Sequence, residues 1–351
     1  MSTRVVQWAT GTTGRLALRA VIEDPELELV GVRVYDPEKV GKDAGALADT
    51  APTGVAATAH KDAILALDPD VVLYMGSVEK YREDCVADVI ELLAAGIDVV
   101  ATGSSFIDIR AFDPDAGRAI DAACVEGSST FLGLGLFPGF WGEAIAPVLS
   151  RLAFRCDRIA VREAMSYAGY PSTEMMFDVM GYGQPPESDD AVLGDITRAG
   201  YAFVSTAVIV AKALGLEVVS VEPFREVAVT DTELHVAAGV VPAGTVGAMK
   251  LGLRVDCGSV EILVEHVTWM GPDVKPEWSE REGYEIEFDG APTLRCNLVL
   301  GTQGENHTEM GCLATAMHAV HAIPVVRAAS PGIIDLADAT SFVGGFVGRL
   351  T

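Results

Sequence analysis

The sequence predicts an α/β protein: an N-terminal Rossmann-like, doubly wound parallel sheet, followed by a second α+β domain with a mixed, mainly antiparallel sheet. Three observations support this prediction. The first part of the chain alternates apolar strands with helical segments, which is typical of parallel sheets. A turn of small residues joins the first strand to the first helix. Further along, apolar strands follow one another through connections too short for crossover helices, which favours antiparallel pairing.

The turn lies between the strand Arg4–Trp8 and the helical segment Leu16–Ile22. Its spacing is that of a dinucleotide-binding fingerprint, with Ala9 in place of the usual first glycine. Small residues let the backbone approach a pyrophosphate, and the amides at the helix start favour its negative charge. The predicted cofactor-binding residues here are Gly11, Thr12, Thr13, Gly14 and Arg15. The alternative is an ordinary glycine-rich turn between a strand and a helix.

The second predicted strand, Glu28–Tyr35, ends in a polar loop that holds the candidates for binding the adenosine ribose. Asp36 lies where an acid would bind the 2′-OH of NAD, whereas Lys39 would bind the 2′-phosphate of NADP. Because these two signals conflict, the sequence predicts NAD(P) and leaves the choice between NAD and NADP open.

Two more buried strands, 70–77 and 97–105, end in small and polar residues. Helices at 82–95 and 115–126 and a strand at 130–134 complete the alternation. Ligands of doubly wound sheets collect at the carboxyl ends of the strands. This rule adds four residues to the predicted cofactor site: Gly76, Ser77, Thr102 and Gly103.

The pattern changes after residue 140, where the predicted second domain begins. Its predicted helices are 143–152 and 199–214, and its predicted strands are 157–164, 217–229, 232–241, 246–255, 261–269, 284–288 and 293–300. A further helix is predicted at 310–322. We therefore place a dinucleotide-binding domain at 1–140, with 307–351 packing back on it, and a substrate domain at 141–306.

Composition limits the classes of partner and the cellular location. Fifty acidic and 25 basic residues give a net charge of −25, which repels nucleic acid and anionic membranes. No run of about 18 uncharged apolar residues predicts a membrane span, and the N-terminus lacks the apolar core of a signal peptide. The six cysteines are scattered without metal-ligand spacing, so we expect reduced thiols, no metal site and a cytoplasmic protein.

Several segments together resemble one family. They are VVQWATGTTGRLALRAV, PEKVGKDAG, VVATGSS, GLFPGFW, AAGVVPAGTVGAMK, ILVEHVTWMG and LATAMHAVHAIPVV. The chain is similar over nearly its whole length to the dihydrodipicolinate-reductase-like oxidoreductases, within the branch of 2,4-diaminopentanoate dehydrogenase and the native amine dehydrogenases. This resemblance implies a nicotinamide-binding first domain and a second domain that carries the substrate pocket and the contact of a homodimer.

The resemblance also implies roles for single residues. Pro138 and Gly139 lie near the nicotinamide, and Trp141 lines the pocket. Arg162, Tyr167 and Tyr170 resemble positions that face the substrate, and His266 is similar to a pocket histidine. The family commonly has Asn where Phe137 stands, so no polar contact is implied there.

The chain departs from its relatives after the strand that ends at Thr102. Amine dehydrogenases of this branch place a glutamate there, and here that place falls on Ser104 or Ser105. A neutral serine cannot act as the same general base, which argues against assuming amine chemistry. Glu143 is the best substitute if its side chain points into the pocket.

Structural interpretations stand beside these functional ones. A lone histidine on an apolar strand, such as His266, is more often a hydrogen-bonded structural residue. Tyrosines in a Gly/Pro loop often cap a core edge, and Glu143 is also explained as a first-turn helix acid. His318 and His321 are three apart on one helix, but without a third ligand we favour a packed helix face.

The sequence as a whole predicts an NAD(P)-dependent oxidoreductase that transfers hydride at a C=N or C=O carbon of a small molecule. One version is an amine dehydrogenase or imine reductase. A second is a carbonyl reductase or alcohol dehydrogenase that uses Ser104, Tyr167 or His266 as a hydrogen-bond donor. The third is a dinucleotide-binding protein without catalysis.

Overall fold

The computed structural model describes residues 2–274, 282–301 and 306–336. The chain forms two compact units, Met1–Leu136 with Cys312–Thr351 (unit 1) and Phe137–Gly311 (unit 2). Residues 337–351 of the segment predicted to pack back on the first domain lie outside the described residues.

Unit 1 begins with six strands and seven helices. The strands are β1 (Thr3–Trp8), β2 (Leu27–Arg33), β3 (Ala57–Thr58), β4 (Val71–Tyr74), β5 (Asp98–Thr102) and β6 (Thr130–Leu134). The helices are α1 (Thr12–Glu23), α2 (Ala44–Ala48), α3 (Lys61–Leu65), α4 (Arg82–Ala94), α5 (Ser104–Ile107), α6 (Ile109–Phe112) and α7 (Pro114–Gly127). Every residue of β4, β5 and β6 is buried, as expected for parallel strands covered on both faces.

Unit 2 is built on a mixed sheet with one long helix. Its helices are α8 (Ala146–Ser150) and α9 (Ile196–Ala213), and π-helical turns span Trp141–Ile145 and Glu174–Met180. Its strands are β7 (Arg155–Ser166), β8 (Ser220–Val229), β9 (Leu234–Val236), β10 (Gly239–Val241), β11 (Val246–Asp256), β12 (Glu261–Trp269), β13 (Gly283–Ala291) and β14 (Leu294–Leu298). The main sheet has the order β14-β13-β7-β12-β11-β8. Its β12–β7 pair is parallel, and its other pairs are antiparallel.

The chain returns to unit 1 within α10 (His307–His321), and α11 (Ile323–Ala328) and β15 (Gly332–Ile333) follow. The strand β15 completes a seven-stranded parallel sheet of order β15-β6-β5-β4-β1-β2-β3. The parallel sheet and the mixed sheet confirm the predicted fold class.

One helical stretch, His307–Ala328, is long and apolar enough to cross a membrane by length and composition. The sequence analysis predicted no span, because it required an uninterrupted uncharged run. Core helices of water-soluble proteins satisfy the same criterion, and this stretch has buried residues of that kind, among them Ala316, Ala319 and Ile323.

Two predicted elements differ in the structure. The predicted helix 143–152 is a π-helical turn followed by the five-residue α8; Pro147 has no amide hydrogen for a regular helix. The predicted strand 232–241 is a hairpin of β9 and β10 in a sheet of its own. Gly239, at φ +143°, starts the second strand in a conformation that only glycine adopts easily.

Candidate active site

The turn between β1 and α1 has the geometry of a phosphate-binding loop. Ala9 adopts φ +70°, a left-handed conformation that is uncommon for a residue with a side chain. The buried Gln7 side chain donates from Nε2 to the Ala9 carbonyl at 2.9 Å. A Cβ on Gly14 would lie 2.3 Å from that same carbonyl oxygen. A residue with a side chain at position 14 would clash with this oxygen, so the close packing of the turn against the start of α1 requires glycine there.

This turn fits a dinucleotide. Gly11 caps α1 without a side-chain hydrogen bond, and a Cβ there would meet no atom within 4 Å. The first amides of a helix have no partner within the helix, so the amides of Thr12 and Thr13 are suited to a pyrophosphate. Arg15 lies on the same first turn and pairs with Asp49 at 2.6 Å.

The two ribose candidates differ in their contacts. Asp36 Oδ1 accepts a hydrogen bond from the Glu38 amide at 2.9 Å, which caps the 3₁₀ turn Pro37–Lys39. Lys39 Nζ donates to the carbonyl oxygen of Thr10 at 2.8 Å and lies 3.3 Å from its Oγ1. The structure thus brings the ammonium group, and not the carboxylate, into contact with the β1–α1 turn.

A carboxylate that sequence reasoning missed, that of Glu79, links the loop after β4 to the residue Ser104 after β5. Glu79 Oε1 accepts hydrogen bonds from the Ser104 amide at 2.9 Å and from Ser104 Oγ at 3.3 Å. Gly103 permits this contact at φ +124°, because a Cβ there would lie 2.3 Å from Val78 Cγ1. Gly76 and Ser77 lie in the loop that leads to Glu79, and Ser105 is buried.

Burial raises the pKa of the Glu79 carboxyl above its ordinary value, although the hydrogen bonds from its own amide and from Ser104 oppose the shift. A carboxyl group with a raised pKa at the carboxyl ends of parallel strands is a candidate for proton exchange with a bound ligand. No sequence pattern identified Glu79, because its position in the loop between β4 and α4 matches no motif.

Unit 2 contains a buried network of three polar side chains on one face of its sheet. Glu163 of β7 and His266 of β12 are paired in register, so their side chains leave the sheet on the same side. His266 Nδ1 lies 2.9 Å from Glu163 Oε2, and Tyr167 donates from its hydroxyl to Glu163 Oε1 at 3.1 Å. An ionised Glu163 only accepts hydrogen bonds, and opposite that form of Glu163 the imidazole of His266 donates from Nδ1.

Burial is the largest cause of a pKa for Tyr167 well above its ordinary value, and the negative charge of Glu163 adds to it. Tyr167 therefore stays protonated at neutral pH and acts as a donor. Glu163 and His266 are 3% and 5% exposed, so the network is largely removed from water. A hydrogen-bonded carboxylate that fixes the proton position of an imidazole is a recurring arrangement in acid–base sites.

Aromatic rings surround this network. Phe137 stacks on His266 with ring centroids 6.3 Å apart, and Phe203 of α9 lies 5.4 Å from the same imidazole. Tyr284 lies 6.4 Å from Phe137 and 6.3 Å from Trp141. We call Phe137, Trp141, Phe203 and Tyr284 the aromatic wall. Tyr170 packs beside Tyr167, with ring centroids 5.9 Å apart.

Glu143 does not join the network. Its side chain is fully buried, and Thr206 of α9 donates to its Oε1 at 2.6 Å. Burial raises the pKa of the Glu143 carboxyl, and its hydrogen bonds oppose the shift. Its Oε2 atom is buried without a hydrogen-bond partner. The contact with Thr206 links the π-helical turn to α9, and the catalytic role predicted for Glu143 stays a prediction.

Arg162 lies on the opposite face of β7 from Glu163, because side chains alternate along a strand. Its guanidinium pairs with Glu265 at 3.0 Å. Lys250 lies on that same face and pairs with Glu265 at 3.5 Å and with Glu226 at 3.6 Å. The structure thus separates Arg162 from the pocket residues with which the resemblance groups it.

Pro138 and Gly139 form the turn before the π-helical turn, with Gly139 at φ +122°. The described residues contain no group of three or more His, Cys, Asp or Glu side chains that would hold a metal ion. His318 Nδ1 lies 2.8 Å from the Gly135 carbonyl, and burial lowers its pKa.

Glu163 is the main residue of unit 2 that the sequence analysis missed. The sequence did contain an indication of its burial. Side chains alternate along a strand, so Glu163 lies on the same face as Val161, and Val161 is buried. The partnership with His266 was not visible, because the two residues are 103 positions apart in the chain.

The comparisons with known proteins agree with this architecture. The family model described as the 2,4-diaminopentanoate dehydrogenase C-terminal domain matches residues 146–344. An amine dehydrogenase of Streptomyces virginiae is 30% identical over 95% of each chain. The 2,4-diaminopentanoate dehydrogenase of Acetoanaerobium sticklandii is 23% identical over 82% of this chain and 79% of its own. The solved structure of an amine dehydrogenase from Mycobacterium smegmatis superposes with a TM-score of 0.80 at 20% identity, covering 96% of both chains.

Proposed function

The chain belongs to the 2,4-diaminopentanoate dehydrogenase family, and we propose that it is an NAD(P)-dependent amine dehydrogenase that interconverts a small carbonyl compound and its amine. Family membership supports the oxidoreductase class. The observation that carries the finer proposal is the buried network of Glu163, His266 and Tyr167, which places two proton donors beside one carboxylate.

Unit 1 would hold the cofactor. The amides of Thr12 and Thr13 and the close approach permitted by Gly14 suit the pyrophosphate. By the same proposal Thr102, at the end of β5, lies near the nicotinamide. When bound, the nicotinamide supplies or accepts the hydride.

Unit 2 would handle the proton at the substrate heteroatom. Tyr167 keeps its proton at neutral pH, and we propose that its hydroxyl, which donates to Glu163 in this structure, turns that single proton to a carbonyl oxygen or an amine nitrogen when substrate binds. Glu163 orients both Tyr167 and His266 by accepting one hydrogen bond from each. A donor held in place before the reaction stabilises charge that develops in the transition state.

Glu79 supports amine chemistry. An ammonium or iminium group is stabilised by a nearby carboxylate, and water or ammonia needs a proton acceptor. The resemblance implies a glutamate at Ser104 or Ser105, and here the Ser104 amide and hydroxyl are hydrogen-bonded to the Glu79 carboxyl. We propose that Glu79 supplies the carboxylate and that Ser104 positions it.

A carbonyl reductase or alcohol dehydrogenase is the second candidate. It is favoured by Ser104 and Ser105 themselves, since a neutral hydroxyl beside a developing alkoxide suffices for carbonyl reduction.

The test is a comparison of ketone turnover with and without ammonium, with consumption of NADH and NADPH followed and the product identified as amine or alcohol. We expect amine as the main product. We expect Glu79→Gln to lower amination by about 10²–10⁴-fold, the range typical of a general acid–base group, while alcohol formation falls less. Alcohol as the main product of the unmodified protein would favour the second candidate, and no turnover of any ketone would favour binding without catalysis.

A further inference from the structure

We propose that Thr308 and Asn306, at the start of α10, are positioning residues for Tyr167. They hold the backbone of residues 166–170, which we call the tyrosine loop, and they act on the reaction through that backbone. The inference rests on the proposed function, in which Tyr167 donates the proton, and it adds the groups that fix this donor in place.

The tyrosine loop leaves regular secondary structure after its first residue, Ser166, which is the last residue of β7. One turn follows, in which the Tyr170 amide donates to the Tyr167 carbonyl at 3.0 Å. Residues outside helices and strands keep conformational freedom unless further bonds remove it. A single orientation of the Tyr167 side chain therefore needs contacts from other parts of the fold.

Thr308 supplies the buried contact. Its hydroxyl donates to the Ser166 carbonyl at 3.0 Å, and the residue is 5% exposed. That carbonyl and the Tyr167 amide belong to one peptide group, and the amide donates to the Trp269 carbonyl at 2.8 Å. Because a peptide group is planar, bonds at both its oxygen and its hydrogen stop it from rotating. The backbone from which the Tyr167 side chain leaves is thus fixed on both sides.

Asn306 holds the far end of the tyrosine loop. Its Nδ2 donates to the Gly169 carbonyl at 3.2 Å, while its Oδ1 accepts from the amides of Thr308 at 3.1 Å and Glu309 at 3.4 Å. A side-chain oxygen bonded to the second and third amides of a helix is an N-cap. One side chain therefore caps the helix that presents Thr308 and binds the loop that Thr308 holds.

The placement of Tyr167 matters because its hydroxyl lies 3.1 Å from Glu163 Oε1, and hydrogen bonds weaken steeply as their geometry departs from the ideal. A reacting group displaced by about 1 Å can cost about 10²-fold in rate. Loss of the Thr308 hydroxyl frees the peptide group before Tyr167 to rotate. We therefore expect proton transfer to suffer more than substrate binding.

The test compares Thr308→Val, which keeps the shape and removes the hydroxyl, with Thr308→Ser, which keeps the hydroxyl. In ketone amination we expect Thr308→Val to lower kcat by about tenfold or more while KM changes by less than about twofold. Thr308→Ser should keep at least about half of the kcat, since it can still donate to Ser166.

Thr245→Val is the matched control. The Thr245 hydroxyl donates to another backbone carbonyl of unit 2, that of Pro242, at 2.6 Å, and its loss should leave kcat unchanged. A kcat for Thr308→Val equal to that of the control would overturn the inference.

Asn306→Asp separates the two tasks of Asn306, because it keeps the capping oxygen and removes the Nδ2 donor. The bond to Gly169 is exposed to solvent, so we expect a smaller loss of kcat, about two- to fivefold, with an unchanged urea unfolding midpoint. An unchanged kcat would remove Asn306 from the inference. If Thr308→Val does not fold, Asn306→Asp carries the measurement alone.

A readout without turnover separates this inference from the proposed function. The protein is labelled with 3-fluorotyrosine, and the fluorine resonance of Tyr167 is identified as the one that Tyr167→Phe removes. We expect this resonance to shift or broaden in Thr308→Val and to keep its position in Thr308→Ser and Thr245→Val. A displaced resonance in a protein that turns over no ketone would support the positioning and count against the proposed function. An undisplaced resonance in Thr308→Val would overturn the inference even in an active enzyme.

Discussion

Tyr167 is the residue whose removal should affect proton transfer most directly. Tyr167→Phe keeps the ring beside His266 and deletes the hydroxyl that donates to Glu163. We expect kcat/KM to fall by about 10²–10⁴-fold, because the phenylalanine ring has no proton to donate to the substrate. Steady-state kinetics at several pH values measure this, with the urea unfolding midpoint as the control for folding. An unchanged kcat/KM would remove Tyr167 from the mechanism.

Glu143 is expected to make the free energy of unfolding depend on pH. Its pKa is raised in the folded protein, so folding holds its proton at pH values where the unfolded chain releases it. The free energy of unfolding should therefore fall as pH rises above the ordinary carboxyl pKa and continue to fall until the folded-state pKa is passed.

Glu143→Gln keeps the shape and cannot ionise, so we expect it to flatten this decline between pH 5 and pH 8. Thr206→Val removes the hydroxyl bonded to Glu143 and should destabilise the protein by roughly 1–3 kcal/mol at both pH values. Urea unfolding of the three proteins at both pH values measures the effect. A slope in Glu143→Gln equal to that of the unmodified protein would contradict the assignment.

At the scale of single elements, the turn between β1 and α1 is the most sharply constrained. Gly14→Ala would place a Cβ 2.3 Å from the backbone oxygen of Ala9, and Gly14→Val adds more bulk at the same point. We expect both variants to lose nicotinamide cofactor binding while the mixed sheet stays folded. Fluorescence titration with NADH and NADPH, beside circular dichroism, measures both. Cofactor affinity like that of the unmodified protein would exclude this turn as the pyrophosphate site.

The loop after β2 should set the choice of cofactor. Asp36→Ser removes a negative charge that would repel a 2′-phosphate, and Lys39→Gln removes the ammonium held against Thr10. We expect the first variant to shift affinity toward NADP and the second to shift it toward NAD. Dissociation constants for both cofactors measure the shifts. Ratios that do not move in either variant would place the ribose elsewhere.

Elements differed in how far the sequence predicted them. The buried strands β4, β5 and β6 were predicted because short, mostly apolar runs between helical segments have few other interpretations. The short helices α2, α3, α5 and α6 were not predicted, since four or five residues carry no helical period. Arg162 was assigned to the pocket although its side chain lies on the other face of β7. Neighbouring residues on a strand face opposite sides of the sheet, so an error of one position places a residue on the wrong face.

At the scale of the whole molecule, the fold was predictable, and so were Tyr167 and His266 as candidates, but the carboxylates of Glu79 and Glu163 were not. The alternation of strands and helices is a local signal that the chain repeats many times. Glu79 and Ser104 are 25 positions apart and are hydrogen-bonded where two strands end. Glu163 and His266 are 103 positions apart and are in contact across two paired strands. Such partnerships follow from strand order and register, which the sequence does not state.

The central claim is that the chain transfers hydride to a substrate carbon. The most direct test supplies nicotinamide cofactor deuterated on both positions of C4, together with 5-methylhexan-2-one and ammonium, and analyses the product by mass spectrometry. The account predicts 5-methylhexan-2-amine that carries one deuterium at C2. Product without deuterium, or no product under conditions in which the cofactor binds, would contradict it.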